Sequence, residues 1–155
     1  LNFPTMIKLG WALTVYLCLS FALFLITSNT IIGGIIYLFV LLPFYGAVLL
    51  GWWVWVWENR TKTAKIKYWI WVIVLGLQIS IILASPGNCF EAKQGDRCYS
   101  NLQILLSDVP STGFSSSPHW NQVEDVFLGL LAAYGVALVV GLSRTSIAKS
   151  INTKE

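Results

Sequence analysis

Residues 8–58 read KLGWALTVYLCLSFALFLITSNTIIGGIIYLFVLLPFYGAVLLGWWVWVWE, and no charged side chain separates the opening lysine from the closing glutamate. A hydrocarbon core about 30 Å thick takes roughly 20 apolar helical residues to cross. This stretch is therefore long enough for two crossings. Ser28, Asn29 and Thr30 supply a short polar turn that divides it into spans at residues 6–27 and 31–57. Two further charge-free stretches, 68–90 and 126–143, each hold one more span, at 68–85 and 126–143.

The whole chain has 155 residues, 56% hydrophobic and 11% charged, against about a quarter charged in a soluble domain. Only the segment 87–123 is left to form an extramembrane cap. The expected fold is all-α: a four-helix transmembrane bundle, one polytopic domain over 1–155. Lys8 ahead of an apolar run resembles the start of a signal peptide. That run is long, lacks an A-x-A site and passes almost directly into another, so it reads as a retained helix.

Charge gives the orientation. Lys8, the connector residues Arg60, Lys62, Lys65 and Lys67, and the tail residues Arg144, Lys149 and Lys154 fall on one side of such a bundle. The other side has only Lys93 and Arg97, set against Glu91, Asp96, Asp108, Glu124 and Asp125. Cytoplasmic loops carry the excess of Lys and Arg, so both ends are expected in the cytoplasm (N-in, C-in). Basic residues beside membrane helices meet anionic headgroups, and the net charge of +3 gives no reason to expect nucleic acid. The sequon at Asn59 lies on the cytoplasmic side in this topology and is not expected to carry glycan.

Small residues recur every fourth position in each span. They are Gly10, Thr14, Cys18 and Ala22 in the first, Ala47 and Gly51 in the second, and Gly76, Ser80 and Ala84 in the third. The fourth has the fullest set, Gly129, Ala133, Ala137 and Gly141. Helices in lipid associate through close packing over small residues, so these stripes are expected to be contact faces. Pro43 removes a backbone donor from the second span and predicts a kink, and Gly33-Gly34 is expected to loosen its first turns.

Trp52, Trp53, Trp55 and Trp57 end the second span, and Trp69 and Trp71 open the third. Such rings favour the headgroup level. Four of them distributed around one helix also suggest a docking surface for lipid, a pigment such as chlorophyll or carotenoid, a quinone or a neighbouring subunit.

Outside the membrane, Cys89 and Cys98 flank eight residues with Gly95 available for a turn, on the oxidising side, and are expected to form a disulfide; Cys18 lies within the first span. Tyr99, Leu102, Leu105, Leu106 and Val109 then recur at helical spacing after a capping Ser100 or Asn101. They predict a short amphipathic helix over the bundle or on the membrane face. Ser117-Pro118 reads as the start of the fourth helix.

Most chemistries fail on missing residues. A four-helix quinone reductase needs a reactive C-x-x-C pair, and bis-His haem needs two histidines where the chain has only His119. Zinc or iron needs several convergent ligands, and no metal site is expected. Ion-coupled transporters place ionisable groups inside the membrane, whereas the most polar side chain in the interior of these spans is Gln78. The expectation is a non-catalytic structural, accessory or assembly subunit of a larger integral membrane complex. Its partners are other membrane subunits and lipids, in photosynthetic or respiratory electron transport, in a bacterial inner or thylakoid membrane. The alternatives are a homo-oligomeric channel or carrier lined by Gln78 and the small-residue faces, and a pigment- or lipid-binding protein using the tryptophan belt.

Overall fold

The computed structural model describes residues 5–89 and 98–147. Helix α1 spans Met6–Ile26, α2 Ile31–Glu58, α3 Tyr68–Ala84, a short α4 Asn101–Leu106 and α5 Asn121–Ser143. The strands are β1 (Ala64–Lys65), β2 (Pro86–Asn88), β3 (Tyr99–Ser100) and β4 (Ser146–Ile147). Helices α1, α2 and α5, with 21, 28 and 23 residues, are long and apolar enough to cross a membrane; α3 is apolar but has 17. Leu19, Phe39, Leu50, Val54, Val72 and Leu128 are exposed on the perimeter. A soluble monomer rarely presents so much contiguous apolar surface, and the arrangement is consistent with an integral membrane protein.

The turn between α1 and α2 is built by its polar residues. Thr27 Oγ1 donates to the carbonyl of Leu23 at 2.7 Å, and Thr30 Oγ1 caps α2 by accepting from Gly33 N–H. Gly33, expected to loosen the first turns, lies within regular helix. It is buried, and a Cβ there would lie 2.7 Å from Ser28 Oγ, so glycine serves a close approach. Further along α2, the disturbance expected from Pro43 appears as a widened π-turn at Tyr37–Leu41, where Leu42 N–H reaches the Tyr37 carbonyl five residues back. Proline's ring cannot sit under an ordinary turn, and the wider one accommodates it.

Two ends of the bundle are tied differently. At one, β1 pairs antiparallel with β4 (Ala64 opposite Ile147), Thr5 bridges to Thr63, and Met6 N–H donates to the Lys62 carbonyl. The start of α1, the 58–67 connector and the chain after α5 therefore meet at this end, and Lys8, Arg60, Lys62, Lys65, Lys67 and Arg144 belong to these segments. At the other end the cap joins the α1–α2 turn. Asn101 Nδ2 donates to the carbonyls of Thr27 and Ile82, its N–H to that of Ser85, and its Oδ1 accepts from Asn29. Successive long helices thus run in alternating directions. Lys93, Arg97, Glu91, Asp96, Gly95, Lys149 and Lys154 lie outside the described residues.

The disulfide between Cys89 and Cys98 is formed, with Cα atoms 4.4 Å apart, and β2 pairs with β3 beside it. Ser100 caps α4 as its position suggests. The amphipathic helix is shorter than the leucine spacing predicts, because Tyr99 belongs to β3 and Val109 is buried beyond the helix end. Its buried member is Gln103, while Leu105 and Leu106 face outward. The fourth long helix begins at Asn121, past Ser117-Pro118. The carbonyls of Ser117 and Pro118 are taken by Tyr99 Oη and Gln103 Nε2, which holds that segment extended.

Two helical hairpins make up the bundle: α1 packs on α2, and α3 lies along α5. Large side chains fill the space between them. Phe24 and Tyr37 have ring centroids 5.0 Å apart, Phe24 and Tyr134 5.9 Å, and Tyr37 and Phe127 6.2 Å. The inward face of α5 is Phe127, Leu131, Tyr134, Leu138 and Gly141, at three- and four-residue steps.

The small-residue stripes are mostly not the intrachain contact faces. Gly129, Ala133, Cys18, Ala22, Ala47, Gly51 and Gly76 are exposed, and Ala137 is half-buried. Close approach is confined to a few positions. A Cβ on Gly10 would stand 3.3 Å from the Trp53 ring, and one on Gly141 3.4 Å from Ile70.

Candidate functional site

At mid-depth the bundle interior is polar, and all four long helices contribute. Tyr16 and Ser20 come from α1, Tyr45 from α2, Gln78 from α3 and Tyr134 from α5. Tyr16 Oη donates to Gln78 Oε1 at 2.9 Å. Ser20 Oγ lies 2.9 Å from Tyr45 Oη, and the Tyr134 hydroxyl contacts Tyr45, Tyr16 and Ser20, the last two at 3.3 Å. Each hydroxyl is both donor and acceptor, so the four hydroxyls and the Gln78 carbonyl oxygen bond one another across the four helices. Tyr134 is the hub. Without these contacts each buried polar group would cost about 1–3 kcal/mol.

Gln78, the residue singled out from sequence, is only 5% exposed and is part of this cluster. Three of its four companions are tyrosines whose positions in the sequence are a signal in themselves. Tyrosine belongs at the headgroup level, and Tyr16, Tyr45 and Tyr134 sit far from the ends of their helices. The cluster is made of hydroxyls and one carboxamide, with no carboxylate, amine or imidazole among them. What it can do is hold two hairpins at one depth and one rotation.

Nearer the basic end the tryptophans part company. Trp53 lies against Gly10 and donates to Thr14 Oγ1 at 3.0 Å, while Trp11, not grouped with the belt from sequence, meets it edge-on at 5.4 Å. Trp55 leans on Trp52 at 4.9 Å. Trp57 and Trp69 are exposed, and Arg60 sits 5.9 Å over the Trp57 ring. Trp71 meets Tyr16 edge-on at 5.9 Å. Trp52 is buried, 6% exposed, and its indole N–H has no hydrogen-bond partner among the described residues.

Trp52 also borders two openings. A cavity of about 250 Å³ lies between α1 and α3, walled by Leu13, Tyr16, Trp52, Trp71, Leu75 and Thr145 among others. On the opposite seam, grooves of about 510 and 410 Å³ run between α2 and α5, the second bounded by Trp52 and Trp55. Both seams fall where one hairpin meets the other, since bulky residues keep those helices apart.

His119 is engaged in the cap. It stacks on Tyr99 with ring centroids 3.9 Å apart, and its Nδ1 lies 2.9 Å from Glu124. Among the described residues no group of three His, Cys, Asp or Glu side chains converges as a metal site would require.

No family model, no curated protein and no solved structure matches this chain.

Proposed function

We propose that the chain crosses a membrane four times with both ends in the cytoplasm. In this reading it serves as a non-catalytic structural, accessory or assembly subunit of a larger integral membrane complex. The observation that carries this is the placement of the small residues. Gly76, Gly129 and Ala133 lie on the outside of a bundle whose interior is already closed by aromatic rings. An added Cβ at Gly76 or Gly129 meets nothing within 4 Å. In lipid, such faces are where a neighbouring helix approaches most closely. The convergence of six basic residues on one end of the fold supports the orientation. At 17 residues, α3 is at the short end of what can span, and the tryptophans at its start anchor it.

The burial of Gln78 and its bond to Tyr16 tell against a channel or carrier in which it lines an aqueous path. Among membrane assemblies, photosynthetic or respiratory electron transport in a bacterial inner or thylakoid membrane is the setting we favour. It fits a polytopic protein with no carboxylate, amine or imidazole in the interior of its spans.

Purification of the natively expressed protein in mild detergent, followed by native electrophoresis and mass spectrometry, is expected to find it in a large assembly with stoichiometric companions. Gly129→Leu is expected to release it from that assembly while its own melting temperature changes little. A protein that runs alone, or an assembly indifferent to Gly129→Leu and Gly76→Leu, contradicts the proposal. A reporter fused after Glu155 should be active only in the cytoplasm, and activity outside contradicts the four-span topology.

A further inference from the structure

We infer that the cavity between α1 and α3 at the basic end is a binding site for an anionic glycerophospholipid. One acyl chain would lie in the cavity, and a small turn of the Trp52 ring would bring its indole N–H to an ester carbonyl. This rests on the membrane reading but not on the existence of partner subunits.

Three independent observations meet here. The first is the cavity itself, about 250 Å³ and walled almost wholly by apolar side chains, with Leu13, Leu75 and the rings of Tyr16, Trp52 and Trp71 around it. A hydrocarbon chain fits such walls, and an aqueous ligand does not. The second is Trp52. Its ring is buried and borders both this cavity and the groove between α2 and α5, while its N–H, itself closed off, lacks an acceptor among the described residues. Buried indole N–H groups ordinarily find a partner. The complement to a lone donor is a molecule that brings a carbonyl oxygen. Trp52 lies six residues before Glu58, where α2 ends, which places it about 9 Å below that end at 1.5 Å per residue. Ester carbonyls of a glycerolipid lie just beneath the headgroup layer, at a comparable depth.

The third observation is charge. The residues that line the cavity's basic end are adjacent in the chain to cations: Leu9 to Lys8, Ile66 to Lys65 and Lys67, and Thr145 to Arg144. All four cations are exposed and form no ion pair among the described residues. The other two cations at this end are engaged, Lys62 with Asn59 Oδ1 and Arg60 with the Trp57 ring. Glu58 is the acidic residue of this end among those described. Basic clusters beside cytoplasmic helix ends attract anionic headgroups. A neutral lipid would satisfy the cavity and the donor but leave the cations without purpose.

The test uses the full chain purified in mild detergent and stripped of lipid. It is titrated with phosphatidylglycerol or phosphatidylcholine of matched chains, and bound lipid is counted by native mass spectrometry. Phosphatidylglycerol is expected to bind first and more tightly. Trp52→Phe keeps an aromatic side chain of smaller size and removes the donor, and should weaken the first binding step roughly three- to tenfold. The triple variant Lys65→Gln, Lys67→Gln, Arg144→Gln should abolish the preference for phosphatidylglycerol while both lipids still bind. Ala12→Phe, which places a ring in the cavity wall, should block the site in a protein of unchanged melting temperature. Equal binding of the two lipids by the wild type overturns the inference. So does a Trp52→Phe variant that binds phosphatidylglycerol as the wild type does. A short-chain quinone whose binding depends on Trp52, when that of phosphatidylglycerol does not, overturns it in favour of a ring-shaped ligand.

Discussion

Tyr134→Ala is expected to destabilise the purified protein by about 4 kcal/mol, the middle of the range for truncating a buried aromatic residue. Two losses combine. The ring packs edge-on to Phe24 at 5.9 Å and lies 6.4 Å from Tyr45, so its removal opens a void between the hairpins. The hydroxyl touches Tyr16, Ser20 and Tyr45. Tyr134→Phe separates the terms, since it keeps the ring. Ser20 and Tyr45 still bond each other, and Tyr16 still donates to Gln78, so the cost should fall to about 1 kcal/mol. That is in the range of side-chain hydrogen bonds measured between membrane helices. Reversible unfolding in mixed micelles, followed by tryptophan emission, measures both. If both variants unfold within about 0.5 kcal/mol of the wild type, the scale expected of an ordinary surface substitution, the tyrosine cluster is not what joins the hairpins.

Gly87→Val is the second large effect, and it acts on the cap. A Cβ at position 87 would stand 2.4 Å from Asn101 Oδ1, 2.5 Å from Ile104 Cδ1 and 3.2 Å from the Asn101 backbone nitrogen. Two of these are side-chain atoms, but Asn101 cannot swing away freely. Its amide holds the Thr27 carbonyl just past α1 and the Ile82 carbonyl in the last turn of α3. Displacing it leaves those carbonyls and Asn29 without partners. Overpacking typically costs about 1–3 kcal/mol; with the broken bonds added, we expect about 3–4 kcal/mol for valine and about 2 for alanine. Gly113→Ala is the control. Its φ of 95° disfavours a side chain, yet nothing lies within 4 Å, so the cost should be about 1 kcal/mol of backbone strain. Melting temperatures in detergent rank the three. A Gly87→Val protein as stable as Gly113→Ala means the cap does not hold the helix ends.

What the sequence disclosed, and what it withheld, follows from the range of each interaction. Charge-free stretches located all four long helices, because hydropathy is a property of neighbours in the chain. The cysteines, nine positions apart, announced their bond for the same reason. The tyrosine cluster did not, since Tyr16 and Tyr134 are separated by 118 positions and share no local pattern. Strands β1 and β4 hold two residues each, too few for any alternation to register. The small-residue stripes illustrate a different failure. A four-residue step identifies a face of a helix without saying which way that face turns. Here the faces that turn inward on α5 are led by Phe127, Leu131, Tyr134 and Leu138. Aromatic rings needed the central space, and small residues were left outside.

The cap's hydrogen bonds also fix an order of events during synthesis. Asn101 can close on Thr27 and Ile82 as soon as α3 and the disulfide-bearing segment have formed. Tyr99 and Gln103 have to wait for Ser115, Ser117, Pro118 and Trp120, just ahead of α5. The two-residue pairing of β1 with β4 waits longer still, for residues that follow α5. A nascent chain therefore carries a half-built lid and an unlatched base until its last helix arrives. Until then, the first three helices display the inner face of α1–α2 to any chaperone or partner that reads it.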